Sequence, residues 1–197
     1  MATSTNFLIK NAILSYPHLY KTEIFQGGTD TNQYAATFLF DDQDTYDRLW
    51  ELGMETAAEE FGNVKKIPKN FKKTERCCIN EVSLSEEEDG IDFDGWSIKA
   101  KGGSTRSGSP KRIVTVDAAK QIVTGEDGQD DENGIFYPGC RVDAQITLWT
   151  AASYAHLRSN LLLVQFRDDG PRLGGNGGVN AVDLLDEMDS YDDEADI

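Results

Sequence analysis

Short β-rich segments, separated by turn-forming residues, run through most of the 197-residue chain. This pattern is typical of β-strands joined by loops. The segments that predict strands lie at residues 6–15, 34–40, 77–84, 91–100, 112–116, 140–150 and 161–166, with a further short one at 121–124. The chain is therefore predicted to be mainly β.

A single segment has helical spacing. Apolar residues recur every three or four positions between Tyr46 and Phe61, which places them on one face of a helix. Residues 41–44 supply N-cap candidates and Gly62 suits the C-cap, so a helix is predicted over about 45–61. Many short strands with one helix between early strands indicate a small barrel or sandwich. An OB-like barrel is such a fold, although periodicity alone does not separate it from other β-rich folds.

Charge is segregated along the chain. The net charge at pH 7 is -16, but 19 of the 35 acidic residues lie in three segments without bases, at 86–94, 126–132 and 183–197. The remaining chain has 16 acidic and 19 basic residues, and the bases concentrate in residues 65–76 and 96–123. Because cations attract a phosphate backbone, this framework is compatible with a nucleic-acid partner.

The basic segment at 65–76 is the first candidate interface. Its cations predict phosphate contacts, and Phe71 among them is a candidate for stacking on a base. A solvated surface loop is the alternative interpretation. The basic residues are Lys65, Lys66, Lys69, Lys72, Lys73 and Arg76.

The segment from Trp96 to Arg112 is the second candidate. Alternation along a strand places Trp96 and Ile98 on one face, with Lys99 and Lys101 on the opposite, wet face. Trp96 is therefore either a core residue or a stacking platform. The Gly/Ser-rich loop that follows either folds over a bound strand or is an ordinary mobile hairpin tip. The candidate phosphate ligands are Lys99, Lys101, Arg106, Lys111 and Arg112.

Other aromatic side chains are candidates for base stacking, which tolerates any nucleotide sequence. Tyr16 equally fits a role in closing the barrel. Arg158, in the loop before the last long strand, adds a cation. The further stacking candidates are Tyr16, Tyr20, Tyr137, Trp149 and Tyr154.

The sequence contains no motif for a metal, a cofactor or catalysis. Neither His18 nor His156 has a neighbour at ligand spacing, and the acidic loop at 127–134 does not have the EF-hand spacing. The glycines at 174–178 are not followed by Gly-Lys-Ser/Thr, so they predict a flexible linker rather than a phosphate-binding loop. We therefore expect no cofactor, no metal and no enzymatic activity.

Cysteine usage and hydropathy predict a reduced, cytoplasmic protein. The three cysteines, Cys77, Cys78 and Cys140, make a poor disulfide framework because the count is odd and two are adjacent. The first residues have no signal-peptide pattern, and no apolar run approaches the roughly 20 residues that span a membrane.

The last residues combine acids with a few apolar positions. The segment 183–197 has eight acidic residues and no basic ones, and its low hydrophobicity predicts disorder. Such a tail can dock into a partner's groove or lie on the protein's own basic surface, while a solubility tail is the alternative. The predicted division is a folded domain at 1–175, a linker at 176–182 and the tail at 183–197. The partner-binding candidates are Leu184, Leu185, Met188, Tyr191, Asp192, Asp193, Glu194, Asp196 and Ile197.

Six short motifs follow one another in a recognisable order. They are NAILSYPHLY at 11–20, YAATFLF at 34–40, WSIKA at 96–100, KRIVTVD at 111–117, YPGCRVDA at 137–144 and LVQFRDDGPRLG at 163–174. Their order and spacing resemble the phage single-stranded-DNA-binding family typified by the phage Enc34 protein, over about residues 6–175.

The resemblance implies an OB-fold, sequence-tolerant binding of single-stranded DNA, and a role in phage DNA replication or recombination in the cytoplasm of the infected bacterium. It also implies an acidic tail that recruits phage or host replication and recombination proteins and competes with DNA. In several such proteins the last residue is an aromatic that fits a partner pocket, whereas here it is Ile197. Monomer and dimer both remain open.

A second hypothesis is an acidic interaction protein that mimics DNA and binds a host enzyme. The net charge of -16 favours it. The basic segments disfavour it, because a DNA mimic has no use for them.

Overall fold

The computed structural model describes residues 1–24, 28, 30–69, 71, 77–105, 107–123, 134–153 and 155–173. Within them, β-strands dominate, as predicted for a mainly β chain. The strands are β1 (Ala2–Thr3), β2 (Phe7–His18), β3 (Ala35–Phe40), β4 (Ile79–Leu84), β5 (Phe93–Lys101), β6 (Val114–Val116), β7 (Arg141–Thr150) and β8 (Arg158–Asp168). The helices are α1 (Gln43–Phe61) and α2 (Glu86–Asp89), with a 3-10 turn at Val64–Lys66.

Five of the strands close into a barrel. Neighbouring strands pair in the order β7-β2-β3-β5-β8, and β7 also pairs with β8, which completes the ring. The β5–β8 pairing is parallel and the other pairings of the ring are antiparallel. The strands β1, β4 and β6 extend the sheet by pairing with β7, β5 and β8. The OB-like barrel predicted from the sequence is therefore confirmed.

The barrel interior is filled by apolar side chains, one row from each strand of the ring. Ile9, Phe38, Ile98, Val142 and Val164 come from β2, β3, β5, β7 and β8, and each is fully buried. Alternation along a strand sends these residues inward and their neighbours outward. The inward rows fix the register of each strand, and so determine which polar residues face solvent.

The predicted helix is confirmed as α1, which packs against the barrel. Its N-cap residue Asp42 accepts a hydrogen bond from the backbone N–H of Thr45 at 2.9 Å, and Gly62 ends it in the left-handed conformation with φ 85°. Gly53 permits a close approach, because a Cβ there would lie 2.8 Å from a methyl carbon of Leu157. The helix therefore packs closely on the chain just before β8.

Some elements were not predicted, and all of them are short. The strand β1 has two residues and α2 has four, with Ser85 as the N-cap of α2. A four-residue helix has little more than one turn, and a two-residue strand has a single side-chain repeat. Neither is long enough to produce a periodic pattern in the sequence. The structure therefore has α2 in addition to the one predicted helix, α1.

Several predictions fall on residues that the structure does not describe. These are the linker at 176–182, the acidic tail at 183–197 and the acidic loop at 126–132. In the described ranges, no helix has the length and apolar character needed to cross a bilayer.

Candidate nucleic-acid interface

A groove of about 860 Å³ lies on the outer surface of the barrel. The groove lysines, Lys99 and Lys101, come from β5, and the opposite side is formed by the end of β7 and the start of β8. The lining residues that bear on nucleic-acid binding are Gln33, Lys99, Lys101, Trp149, Arg158 and Asn160. The groove therefore brings cations, an indole ring and amide side chains together in one concave surface.

The position of this groove in the barrel matches the binding surface of OB-folds. Those folds bind oligonucleotides on the face of their second and third strands, between the loop joining strands one and two and the loop joining strands four and five. In this barrel the corresponding strands are β3 and β5. Gln33 lies in the β2–β3 loop, and Arg158 follows the β7–β8 loop. Of these two strands β5 lines the groove, so the groove overlaps part of the surface on which OB-folds bind their ligands.

Strand alternation in β5 places the two lysines in the groove. Ile98 and Ala100 point into the core, so Lys99 and Lys101 point outward, as predicted. Lys101 is opposite Asn160 in the parallel β5–β8 pairing, and Ser159 donates a hydrogen bond of 2.7 Å to the carbonyl oxygen of Lys99. These contacts fix the β5 lysines relative to β8.

Trp149 and Arg158 face each other across the β7–β8 pairing. Trp149 is partly buried and lines the groove together with the two lysines. Arg158 lies 2.7 Å from Nδ1 of His156 through one guanidinium nitrogen. The sequence-predicted residues Lys99, Lys101, Trp149 and Arg158 are thereby brought together.

A buried carboxylate contacts both groove lysines. Glu23 is 7% exposed and forms ion pairs with Lys99 and, at 3.0 Å, with Lys101. Burial by itself raises the pKa of Glu23, but the hydrogen bonds and charges of the two lysines outweigh it and hold this pKa below its ordinary value. Glu23 is therefore ionised at neutral pH. No feature of the sequence marked this residue, because its loop position carries no periodic pattern.

Cys78, beside the groove, is not a reactive thiol. Cys77 and Cys78 line it but are buried, and the hydrogen bond with Cys77, together with burial, raises the pKa of Cys78. A raised pKa keeps the thiol neutral, and the neutral thiol is a poor nucleophile and metal ligand. Among the described residues, no group of three or more His, Cys, Asp or Glu side chains is arranged to hold a metal ion.

The described lysines of the basic segment at 65–76 do not line the groove. Lys65 and Lys66 are exposed on the 3-10 turn after α1, and Lys69 is exposed beyond it. Their phosphate contacts remain a prediction. Phe71, by contrast, is 1% exposed and packs edge-on against Phe61 with ring centroids 6.3 Å apart. The prediction that Phe71 stacks on a base is wrong for this structure, because its ring is part of the core.

Three other predicted stacking rings already have protein partners. Trp96 stacks on Tyr46 of α1 at 4.4 Å, which favours its core interpretation. The Tyr20 hydroxyl donates to Oγ1 of Thr115 at 2.9 Å, and its ring packs against the core. The guanidinium carbon of Arg172 lies 4.5 Å from the centroid of the Tyr137 ring. The Tyr137 hydroxyl accepts a hydrogen bond from the Gly170 N–H at 2.9 Å. These contacts do not support base stacking by Trp96, Tyr20 or Tyr137.

Among the predicted stacking candidates that the structure describes, Tyr16 is the most exposed. Its side chain is 77% exposed, and its φ of 46° lies in the left-handed region that bulky residues rarely adopt. The β2–β3 register shifts between Ser15 and His18, so Tyr16 sits in an irregularity that turns its side chain outward. Stacking by Tyr16 remains a prediction.

The loop after β5 forms one rim of the groove. Gly102, Gly103 and Ser104 line it, and the backbone N–H of Lys111 donates to the Gly103 carbonyl at 2.7 Å. Lys111 and Arg112 are exposed beside this rim. The remaining predicted site residues, Lys72, Lys73, Arg76, Arg106, Tyr154 and the tail residues, lie outside the described ranges.

Comparisons with known proteins agree with this architecture. A family model described as Enterobacter phage Enc34, ssDNA-binding protein, matches residues 5–196. The fold is similar to the C-terminal truncation of the single-stranded DNA-binding protein from bacteriophage Enc34, with a TM-score of 0.57 at 20% identity over 85% of this chain and 88% of that chain.

The structure of the bacteriophage Enc34 protein in complex with ssDNA is similarly related, with a TM-score of 0.55 at 22% identity over 86% of this chain and 89% of that chain. At such identities the likeness to solved structures shows the fold. Comparison with curated proteins gives no match. The matched range of the family model extends beyond residue 175, where the sequence resemblance ends.

Proposed function

The chain belongs to the single-stranded-DNA-binding family represented by the Enterobacter phage Enc34 protein, and from this premise we propose that its groove binds single-stranded DNA without sequence preference. The family consists of binding proteins, so the protein is a binder and not an enzyme. The observation that carries the proposal is the convergence of Lys99, Lys101, Trp149 and Arg158 on the OB-type binding surface.

Each of these side chains has a defined part in binding. The lysines and Arg158 attract the phosphate backbone, and their contacts release counterions from the strand. Trp149 offers a π-face on which any base stacks, and this is why sequence preference is weak. A groove of about 860 Å³ with cations along one strand suits a flexible single strand better than a stiff duplex.

We propose that the acidic tail at 183–197 recruits phage or host proteins of DNA replication and recombination, in the cytoplasm of the infected bacterium. The support is its composition, with eight acidic residues, no basic ones and a few apolar positions. Its charge is also complementary to the groove, so the tail competes with DNA for the same lysines.

A titration of labelled oligo-dT tests the proposed function. Fluorescence anisotropy at two salt concentrations should show tight binding that weakens as salt rises, because phosphate contacts release counterions. A duplex of equal length, as the control, should bind far more weakly. Absence of binding to oligo-dT by the whole chain and by a tail-truncated chain would favour the acidic interaction-protein hypothesis instead.

Removal of residues 183–197 should tighten oligo-dT binding, most visibly at low salt. The tail carries eight negative charges that compete with phosphates for the groove, and salt screens this competition. The same anisotropy titration measures the effect, with a tail of equal length in which the acids are replaced by Ser and Gln as the control. Equal affinities of the whole and truncated chains would reject competition by the tail.

A further inference from the structure

Glu23 is a buried carboxylate at the base of the β2–β3 loop. Its backbone N–H donates to the Gln33 carbonyl at 2.8 Å, and its own carbonyl accepts from the Thr31 N–H at 2.9 Å. Gln33 also lines the groove. The two arms of the loop are thus paired at this point, so the backbone of Glu23 is held beside the groove.

Each carboxylate oxygen of Glu23 pairs with one of the two groove lysines. Oε1 pairs with Nζ of Lys99, and Oε2 lies 3.0 Å from Nζ of Lys101. The lysine side chains remain 42% and 31% exposed and line the groove, whereas Glu23 is 7% exposed and does not line it, so a strand in the groove can reach the lysines. The three charges leave a net charge of +1, half of what the lysines alone would supply.

A comparison with Asp143, another buried carboxylate, shows what is unusual about Glu23. Asp143 accepts a hydrogen bond from the backbone N–H of Asn11 at 2.9 Å, where β2 bulges against β7, and pairs with Arg167. Its burial is explained by the backbone group that it satisfies. The carboxylate of Glu23 is instead bound by the two cations that the groove offers to DNA.

We propose that Glu23 occupies the place of a DNA phosphate in the free protein, and that a bound strand replaces its carboxylate at Lys99 and Lys101. This inference rests on the proposed function of the groove. A carboxylate and a phosphate both present anionic oxygens to ammonium groups, so the exchange preserves the pairing of each lysine. Glu23 therefore lowers the affinity of the groove for DNA, and a bound strand dissociates more readily.

Neutralising Glu23 tests this exchange directly. In Glu23→Gln the lysines have no carboxylate to release, so oligo-dT should bind about 5-fold more tightly at low salt, the size of effect that one partly exposed ion pair has. The slope of log affinity against log salt should stay the same, because both proteins contact the same phosphates once the strand is bound. If Glu23 instead orients the lysines for DNA, the same variant binds more weakly, and that result overturns the proposal.

The variant Glu55→Gln is the matched control. Glu55 is exposed on α1, so its replacement makes the same change in net charge without touching the groove lysines. The affinity of Glu55→Gln for oligo-dT should stay within about 2-fold of that of the unmodified protein, and its salt slope should be the same. The reason is that salt screens exposed charges beyond about 10 Å. An equal gain in both variants would mean that net charge alone is responsible, and would overturn the role of Glu23.

A second measurement uses the unmodified protein and does not depend on how the variant folds. With ¹³C-labelled glutamate carboxyl groups, the Glu23 resonance should shift when oligo-dT is added, because its two ammonium partners are taken by phosphate. An unchanged resonance in the saturated complex overturns the exchange. If the unmodified protein does not bind oligo-dT at all, the proposed function fails; if it binds and only these results are negative, the inference about Glu23 fails alone.

Discussion

Replacing Trp149 with alanine is expected to weaken oligo-dT binding by roughly 10-fold or more, because stacking of a base on an aromatic ring contributes about 1–3 kcal/mol. Trp149 lies at the end of β7, opposite Arg158, and lines the groove with the β5 lysines. The loss should be similar in low and high salt, because a stacking contact releases no counterions. Fluorescence anisotropy with labelled oligo-dT measures it.

Two matched variants separate stacking from a general loss of structure. Trp149→Phe keeps an aromatic face and should retain most of the affinity. Trp96→Phe changes a tryptophan that stacks on Tyr46, so it should leave binding unchanged. An affinity of Trp149→Ala equal to that of the unmodified protein would show that no base stacks on this ring.

Replacing Phe71 with alanine is expected to destabilise the fold by about 3–5 kcal/mol, the usual effect of truncating a buried phenylalanine. The ring is 1% exposed and packs against Phe61 at the end of α1. Urea denaturation followed by circular dichroism measures the change in the free energy of unfolding. The folded fraction of the variant should bind oligo-dT with unchanged affinity.

Phe71→Leu is the control for this prediction. Leucine keeps most of the buried volume, so it should restore much of the lost stability. A Phe71→Ala variant with unchanged stability but much weaker DNA binding would mean that the ring leaves the core to contact DNA. That outcome would restore the base-stacking role predicted from its basic surroundings.

Periodicity in the sequence predicted the parts of the fold that are long enough to repeat. The helical spacing from Tyr46 to Phe61 gave α1, and the alternation from Trp96 to Lys101 placed Lys99 and Lys101 outside the barrel. Their convergence with Trp149 and Arg158 depends on long-range pairing between β5, β7 and β8. The local sequence could supply the candidates but not this pairing.

Two residues show why the rest of the site was missed. Phe71 stands among lysines, which locally indicates a surface, yet the chain returns to α1 and buries the ring against Phe61. Glu23 lies in a loop without periodicity, and its role depends on Lys99 and Lys101, which are more than seventy residues away along the chain. In both cases tertiary contacts outweigh the local pattern.

Photo-crosslinking tests most directly whether single-stranded DNA lies in the groove formed by β5, β7 and β8. An oligo-dT carrying 5-iodouracil is bound to the unmodified protein, irradiated, and the attached peptides are identified by mass spectrometry. We expect adducts at Trp149 and in the peptides that contain Lys99, Lys101 and Arg158. Adducts confined to the segment around Lys65, Lys66 and Lys69, with none in the groove, would show that DNA binds outside the groove.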